Sequence, residues 1–179
     1  MNKLYLVLLI SLLSLLASCT VPVTKDPDSQ FYSVQAGSKL ILHKPVEIIA
    51  NTARTFFQNG KIIAEKDLNI YYPHCSITTL NITDKTRTIQ PTTFNIYKVA
   101  DDEEEASLTI KYVARNLMSH TDGPTIIGQA SYYYLKSNDE PDVARLECIQ
   151  WGDPFYVKYV SINDIRQTLG NYFSLILKD

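Results

Sequence analysis

The 179-residue chain has little of what most reactive sites are built from. Its three cysteines, Cys19, Cys75 and Cys148, show no Cys-x-x-Cys spacing, so thiol redox chemistry and ribbon-type zinc sites lack their usual frame. The three histidines, His43, His74 and His120, are scattered, and no His-Glu-x-x-His pair occurs. A metal site would need all three, with Cys75 or Met118, to converge in space; no metal and no cofactor are expected. There are six glycines and no phosphate-cradling glycine loop, no Gly-x-Ser-x-Gly and no Ser-x-x-Lys. A Ser/His/Asp triad could then arise only by spatial convergence. Basic excess is also missing: 17 Lys and Arg face 19 Asp and Glu, a formal net charge of −2. That disfavours nucleic acid, which wants a basic surface. Nor is there an apolar run of the roughly 20 residues that a membrane-spanning helix needs.

What is present begins at the N-terminus. Lys3 is a positive n-region, Leu4 to Leu16 is apolar apart from Ser11 and Ser14, and Ala17-Ser18 supplies small side chains. This is the anatomy of a signal peptide. Leu16-Ala17-Ser18-Cys19 resembles the lipobox of bacterial lipoproteins. The resemblance implies cleavage before Cys19 and acylation of that cysteine. Two or three acyl chains anchor stably, since each buried CH₂ contributes about 0.8 kcal/mol. Thr20 stands where an Asp would retain such a protein in the inner membrane, so the expected address is the outer membrane, facing the periplasm. An ordinary signal peptide with a chance cysteine is the alternative. The expected division is a signal peptide over 1–18, a lipidated N-terminus and flexible tether over 19–35, and a single β-rich domain over 36–179.

Cleavage leaves 161 residues, enough for one domain with its own core, and removes Lys3 to give a net charge of −3. No polybasic patch assists membrane binding, so the acyl chains would anchor alone. With Cys19 acylated, Cys75 and Cys148 remain as an even pair in an oxidising compartment, where a disulfide is expected. Two buried free thiols are the alternative.

From Ser38 onward apolar residues alternate with polar ones, as in Leu40 and Leu42, then Val46, Ile48 and Ala50. Arg54 to Ala64 reads as a hairpin, because Asn59-Gly60 tolerates the positive φ that a type I′ turn requires. Further strands are expected over 76–82, 86–90, 94–100, 108–114, 126–136, 144–151 and 155–160, with turn residues between most of them. One helix is expected after Ser161, with Asp164 completing a capping box, Ile162, Ile165 and Leu169 on one face and Gly170 at its end. Phe173 to Leu177 reads as a last strand. The expected fold is all-β, an antiparallel sandwich or partly closed barrel with one short C-terminal helix.

Asp101 to Glu105 is the main charge run; it lacks the alternation and glycine of a calcium loop and reads as a solvated hairpin tip. Tyr132-Tyr133-Tyr134 and Trp151 suggest a platform for carbohydrate or peptide, but in a strand at most two of the three tyrosines share a face. A core-packing role for them is the plainer reading. Asn81-Ile82-Thr83 fits a glycosylation sequon that a bacterial lipoprotein leaves unused. The stretches Gly37 to Pro45, Arg54 to Gly60, Tyr72 to Cys75 and Arg145 to Cys148 resemble small proteobacterial lipoproteins that carry no established activity. The functional expectation is an envelope protein that binds or scaffolds, its partner being another envelope protein, cell wall or a small ligand. A hydrolase of envelope polymers and a small-ligand or lipid carrier are the alternatives.

Overall fold

The computed structural model describes residues 25–106 and 126–178. Cys19, the signal segment, the strand expected over 108–114, Met118 and His120 lie outside the described residues. An eight-stranded antiparallel sheet forms a half-barrel, with one helix near the C-terminus, which makes the fold all-β. In chain order the strands are β1 (Lys39–Leu42), β2 (Val46–Ile48), β3 (Arg54–Gln58), β4 (Lys61–Ile63), β5 (His74–Thr79), β6 (Arg87–Ile89), β7 (Thr93–Ala106), β8 (Ile126–Lys136) and β9 (Val143–Gly152). Helix α1 (Ile162–Leu169) and strand β10 (Phe173–Ile176) follow. The large sheet runs β10-β1-β7-β8-β9-β5-β3-β4, and β2 pairs with β6 in a separate ribbon.

Alternation in these strands sends one set of side chains to an inner face and the other outward. Leu40, Leu42, Phe57, Ile77, Phe94, Ile96, Leu146 and Phe173 fill the inner face with Val46, Ile48 and Ile89 of the ribbon. Helix α1 lies on this face and contributes Ile162, Ile165 and Leu169. Its start is fixed as the sequence suggests: Ser161 Oγ accepts from the Asp164 N–H at 3.1 Å and the Asp164 carboxylate accepts from the Ser161 N–H at 3.2 Å.

The β3–β4 hairpin turns at Asn59 and Gly60, with φ of 51° and 73°. The turn rests directly on the end of α1. The Gly60 N–H donates to the Thr168 carbonyl at 3.0 Å, and a Cβ placed on Gly170 would come within 2.5 Å of Gly60 Cα. Gly170 also has φ of +55°, so glycine is required there for both space and conformation.

Cys75 and Cys148 are directly opposite on neighbouring strands β5 and β9, with Cα atoms 4.1 Å apart, and they form a disulfide. That separation is close to the ~4.5 Å of a non-hydrogen-bonded antiparallel pair, where side chains approach most closely.

Three expectations change. Phe155 to Val160 is not a strand. Asp153 closes a turn instead, its carboxylate accepting from the Phe155 N–H and its carbonyl from those of Tyr156 and Val157. The acidic run is not a hairpin tip but part of the 14-residue strand β7, paired along its length with β8. Finally, much of the segment assigned to the tether is docked. Val34 is buried in the core, the Asn163 N–H of α1 donates to the Pro27 carbonyl, and the Asn163 side chain donates to Asp28 at 2.7 Å.

Candidate functional site

The outer face of β7, β8, β9 and β5 gathers the aromatic and charged residues that the sequence scatters. On β8, Tyr133 points inward and is 3% exposed, while Tyr132 and Tyr134 point outward. On β9 the outward residues are Arg145, Glu147, Ile149 and Trp151. Burial pushes the phenol pKa of Tyr133 well above its ordinary value. Burial does the same to Tyr132, assisted by the hydrogen bond its hydroxyl donates to Glu104. Both phenols therefore stay neutral, and that of Tyr132 donates to Glu104.

Tyr132 is held from both sides. The Arg145 guanidinium sits 4.5 Å from its ring centroid and donates to Glu147 at 3.2 Å. Gly128 leaves room for the neighbouring aromatic, since a Cβ there would meet Trp151 ring carbon at 2.9 Å and Ile149 at 2.7 Å. Ala130, Tyr132 and Ile149, flanked by Tyr134 and Trp151, thus form a small second core on the face opposite α1.

Tyr97 reaches this face through a bulge. The register of β7 with β8 shifts between Ile96 and Lys98, so Ile96 and Val99 both pack toward the inner core, while the extra residue Tyr97 is exposed. Its ring lies 6.2 Å from that of Tyr134 at an interplanar angle of 53°. A groove of 800 Å³ opens beside these rings, where β8 turns into β9, and Thr78, Leu80, Lys136 and Arg145 also line it. This is within the usual size range of small-ligand sites, about 300–1,000 Å³. A second groove, of 620 Å³, lies by β4, with Ile49, Phe56 and Ile62 in its lining beside Glu47, Arg54 and Glu65.

The acids of β7 alternate between faces and find partners on β8. Asp101 accepts from Ser131 at 2.6 Å and Glu103 from Gln129 at 2.9 Å, while Glu104 on the other side takes the Tyr132 hydroxyl. Tyr159, brought near Asp101, Glu103 and Asp102, has its pKa raised by burial first and by these carboxylates second. Among the described residues, no group of three or more His, Cys, Asp or Glu is placed to hold a metal ion.

The two described histidines, His43 and His74, are separated by the fold. His74 is buried next to Cys75, and its Nδ1 donates to the Tyr72 carbonyl at 3.0 Å. Desolvation lowers its pKa, partly offset by that hydrogen bond. His43 is exposed after β1, and its Nε2 lies 2.7 Å from Ser174 Oγ on edge strand β10. Among the described residues, no carboxylate hydrogen-bonds to His43, so the orienting third member of a triad is missing from this pair.

Sequence reasoning named Cys75, Cys148 and the tyrosines, but missed Tyr97, Lys98, Lys136, Thr78 and Arg145 as neighbours. Only the pairing of β5, β7, β8 and β9 brings them together. No protein-family model, curated protein or solved structure matches the chain. Among the described residues, no helix is long and apolar enough to cross a membrane.

Proposed function

We propose that this chain is an outer-membrane-anchored lipoprotein, held by acyl chains on Cys19, whose β-domain is a binding module of the cell envelope. The observation that carries the binding reading is the groove beside Tyr97 and Tyr134, built on internal strands of a sheet stapled by Cys75–Cys148. Rigid strands hold side chains in place better than loops do, which suits recognition. The disulfide is consistent with an oxidising compartment. The interior that a lipid carrier would need for its cargo is filled by Phe57, Phe94, Ile77 and Leu146.

Two measurements test the two halves of this reading. Cys19→Ala should abolish lipid labelling and release the protein from the membrane fraction; unchanged membrane fractionation without label would end the anchoring claim. A photo-crosslinking residue at Leu80, which is exposed on the groove, should give discrete adducts in intact cells. The same residue at Ile62, on the other groove, is the comparison. Loss of the Leu80 adducts, or equal adducts at both positions, would count against the binding site.

A second reading rests on the 2.7 Å contact between His43 and Ser174, which is within reach for proton transfer to a histidine base. A hydrolase using this pair would be labelled by a fluorophosphonate, and Ser174→Ala would remove the label. An unlabelled wild-type protein leaves the binding module as the sole reading.

A further inference from the structure

One cross-strand row of the outer face is unusually rich in cations. Reading across neighbouring strands, Lys98 on β7 faces Tyr134 on β8, Tyr134 faces Arg145 on β9, Arg145 faces Thr78 on β5, and Thr78 faces Arg54 on β3. Lys136 stands two residues beyond Tyr134 on β8 and is exposed. No residue of this row is acidic, and no carboxylate lines the groove beside it, although the chain as a whole is net negative. The acids of the adjoining β8–β9 turn are engaged elsewhere: Asp142 pairs with Arg87 and Asn81, Glu140 accepts from the Gln90 N–H, and Asp139 accepts from Thr92. Glu147, in the next row, is bound to Arg145.

Donors are left over. Thr78 Oγ1, in the groove lining, and Arg145 Nε are shielded from solvent and have no hydrogen-bond partner. Buried polar groups are nearly always satisfied, so an unpaired pair on one row marks a place where a ligand can complete them. The Lys98 ammonium lies 4.9 Å from the Tyr134 ring centroid, which covers part of that ring, while Tyr97 remains exposed on its bulge. Recognition here cannot proceed by adding a strand, because β5, β8 and β9 are internal and each is paired on both sides. Contact must come from side chains: aromatic walls for an apolar ring face, hydroxyl and guanidinium groups for oxygens, and ammonium groups for negative charge.

We propose that this groove binds an acidic saccharide, a sugar carrying a carboxylate or phosphate. Tyr97 and Tyr134 pack against the sugar ring. The Arg145 guanidinium and the Thr78 hydroxyl turn from their covered positions to meet its oxygens, and Lys136 and Lys98 neutralise the acid group. The proposal rests on the binding reading above and names its ligand class.

The test is calorimetry on the full chain in detergent, with trigalacturonate, sialyllactose and a hexose phosphate as acidic probes. Neutral maltotriose, triglutamate and inorganic phosphate serve as comparisons. At least one acidic saccharide should bind about tenfold or more tightly than the neutral one, with affinity falling as salt rises. Tyr97→Ala and Lys136→Gln, both at exposed positions, should each weaken it about fivefold or more, roughly 1 kcal/mol, with an unchanged melting temperature. Failure of every acidic saccharide to bind at millimolar concentration would overturn the proposal. So would equal binding of maltotriose, equal or tighter binding of triglutamate or of phosphate alone, or variants that bind like wild type. Continued crosslinking from Leu80 alongside any of these results would remove the ligand class and leave the binding module standing.

Discussion

Strands β8 and β9 have two faces made by the same backbone, and they differ in kind. Inward, Tyr133, Leu135, Leu146 and Cys148 join an apolar core closed by α1. Outward, Tyr132, Tyr134, Arg145, Glu147 and Trp151 hold one another through ring contacts, a cation over a ring and an ion pair. The inner face loses contacts when any member is cut away. The outer face is a set of oriented polar and aromatic groups, several still able to bond. On the proposed binding reading, stability and recognition fall on opposite sides of one sheet, an arrangement that alternation makes available to any half-buried strand.

The largest expected effect is on the inner side. Replacing Cys75 and Cys148 together by Ala should cost about 4 kcal/mol, because the bridge closes a loop of 73 residues. Chemical denaturation would measure it, and a loss as small as that of an outer-face variant would break the contrast. Thiol counting on denatured, unreduced protein should correspondingly find no free Cys75 or Cys148.

Next is Gly170→Ala. The new methyl would collide with the Gly60 backbone at a position with positive φ, so the hairpin tip and the end of α1 must separate, at about 3 kcal/mol. Gly128→Ala, on the outer side, meets first the side chains of Ile149 and Trp151 rather than backbone, and should cost less. The two variants compared by thermal unfolding sharpen the distinction between backbone contact and movable side chains.

His74 gives a smaller, pH-dependent effect. Its folded pKa lies below the usual value of about 6.5, so below that pH the unfolded chain takes up a proton that the native protein resists. Its contribution is complete above about pH 6.5 and is lost as pH falls from there toward the lowered folded pKa. His74→Asn can keep the bond to the Tyr72 carbonyl, and it should flatten the stability profile between neutral and mildly acidic pH. An unaltered slope would show that other groups set it.

The smallest effect is expected at Tyr97. Its side chain is exposed, so Tyr97→Ala should change stability by no more than about 0.5 kcal/mol. A loss as large as that for a core residue would mean that the bulge serves packing rather than binding.

What was legible in the sequence was local. Asn59-Gly60 specifies its turn, Ser161 and Asp164 specify a helix start, and the parity of the three consecutive tyrosines follows from the pleat. What was hidden depends on distant partners. The acids of β7 extend a strand only because Ser131, Gln129 and Tyr132 stand across from them. Tyr97 stands unpaired on the outer face, beside Lys98, because β7 slips by one residue against β8. Phe155 to Val160 misled because its aromatic and β-branched residues suit a strand, while Asp153 and Pro154 favour a turn that satisfies the backbone locally.

The docking of Pro27 and Asp28 against α1 has a mechanical consequence for an acylated protein. From Cys19 to Asp26 there are seven residue steps, which fully extended reach at most about 25 Å. A domain on so short a leash cannot search the width of a periplasm. Its groove would patrol a thin layer next to the lipid, and any ligand or partner would have to come to that layer to be caught.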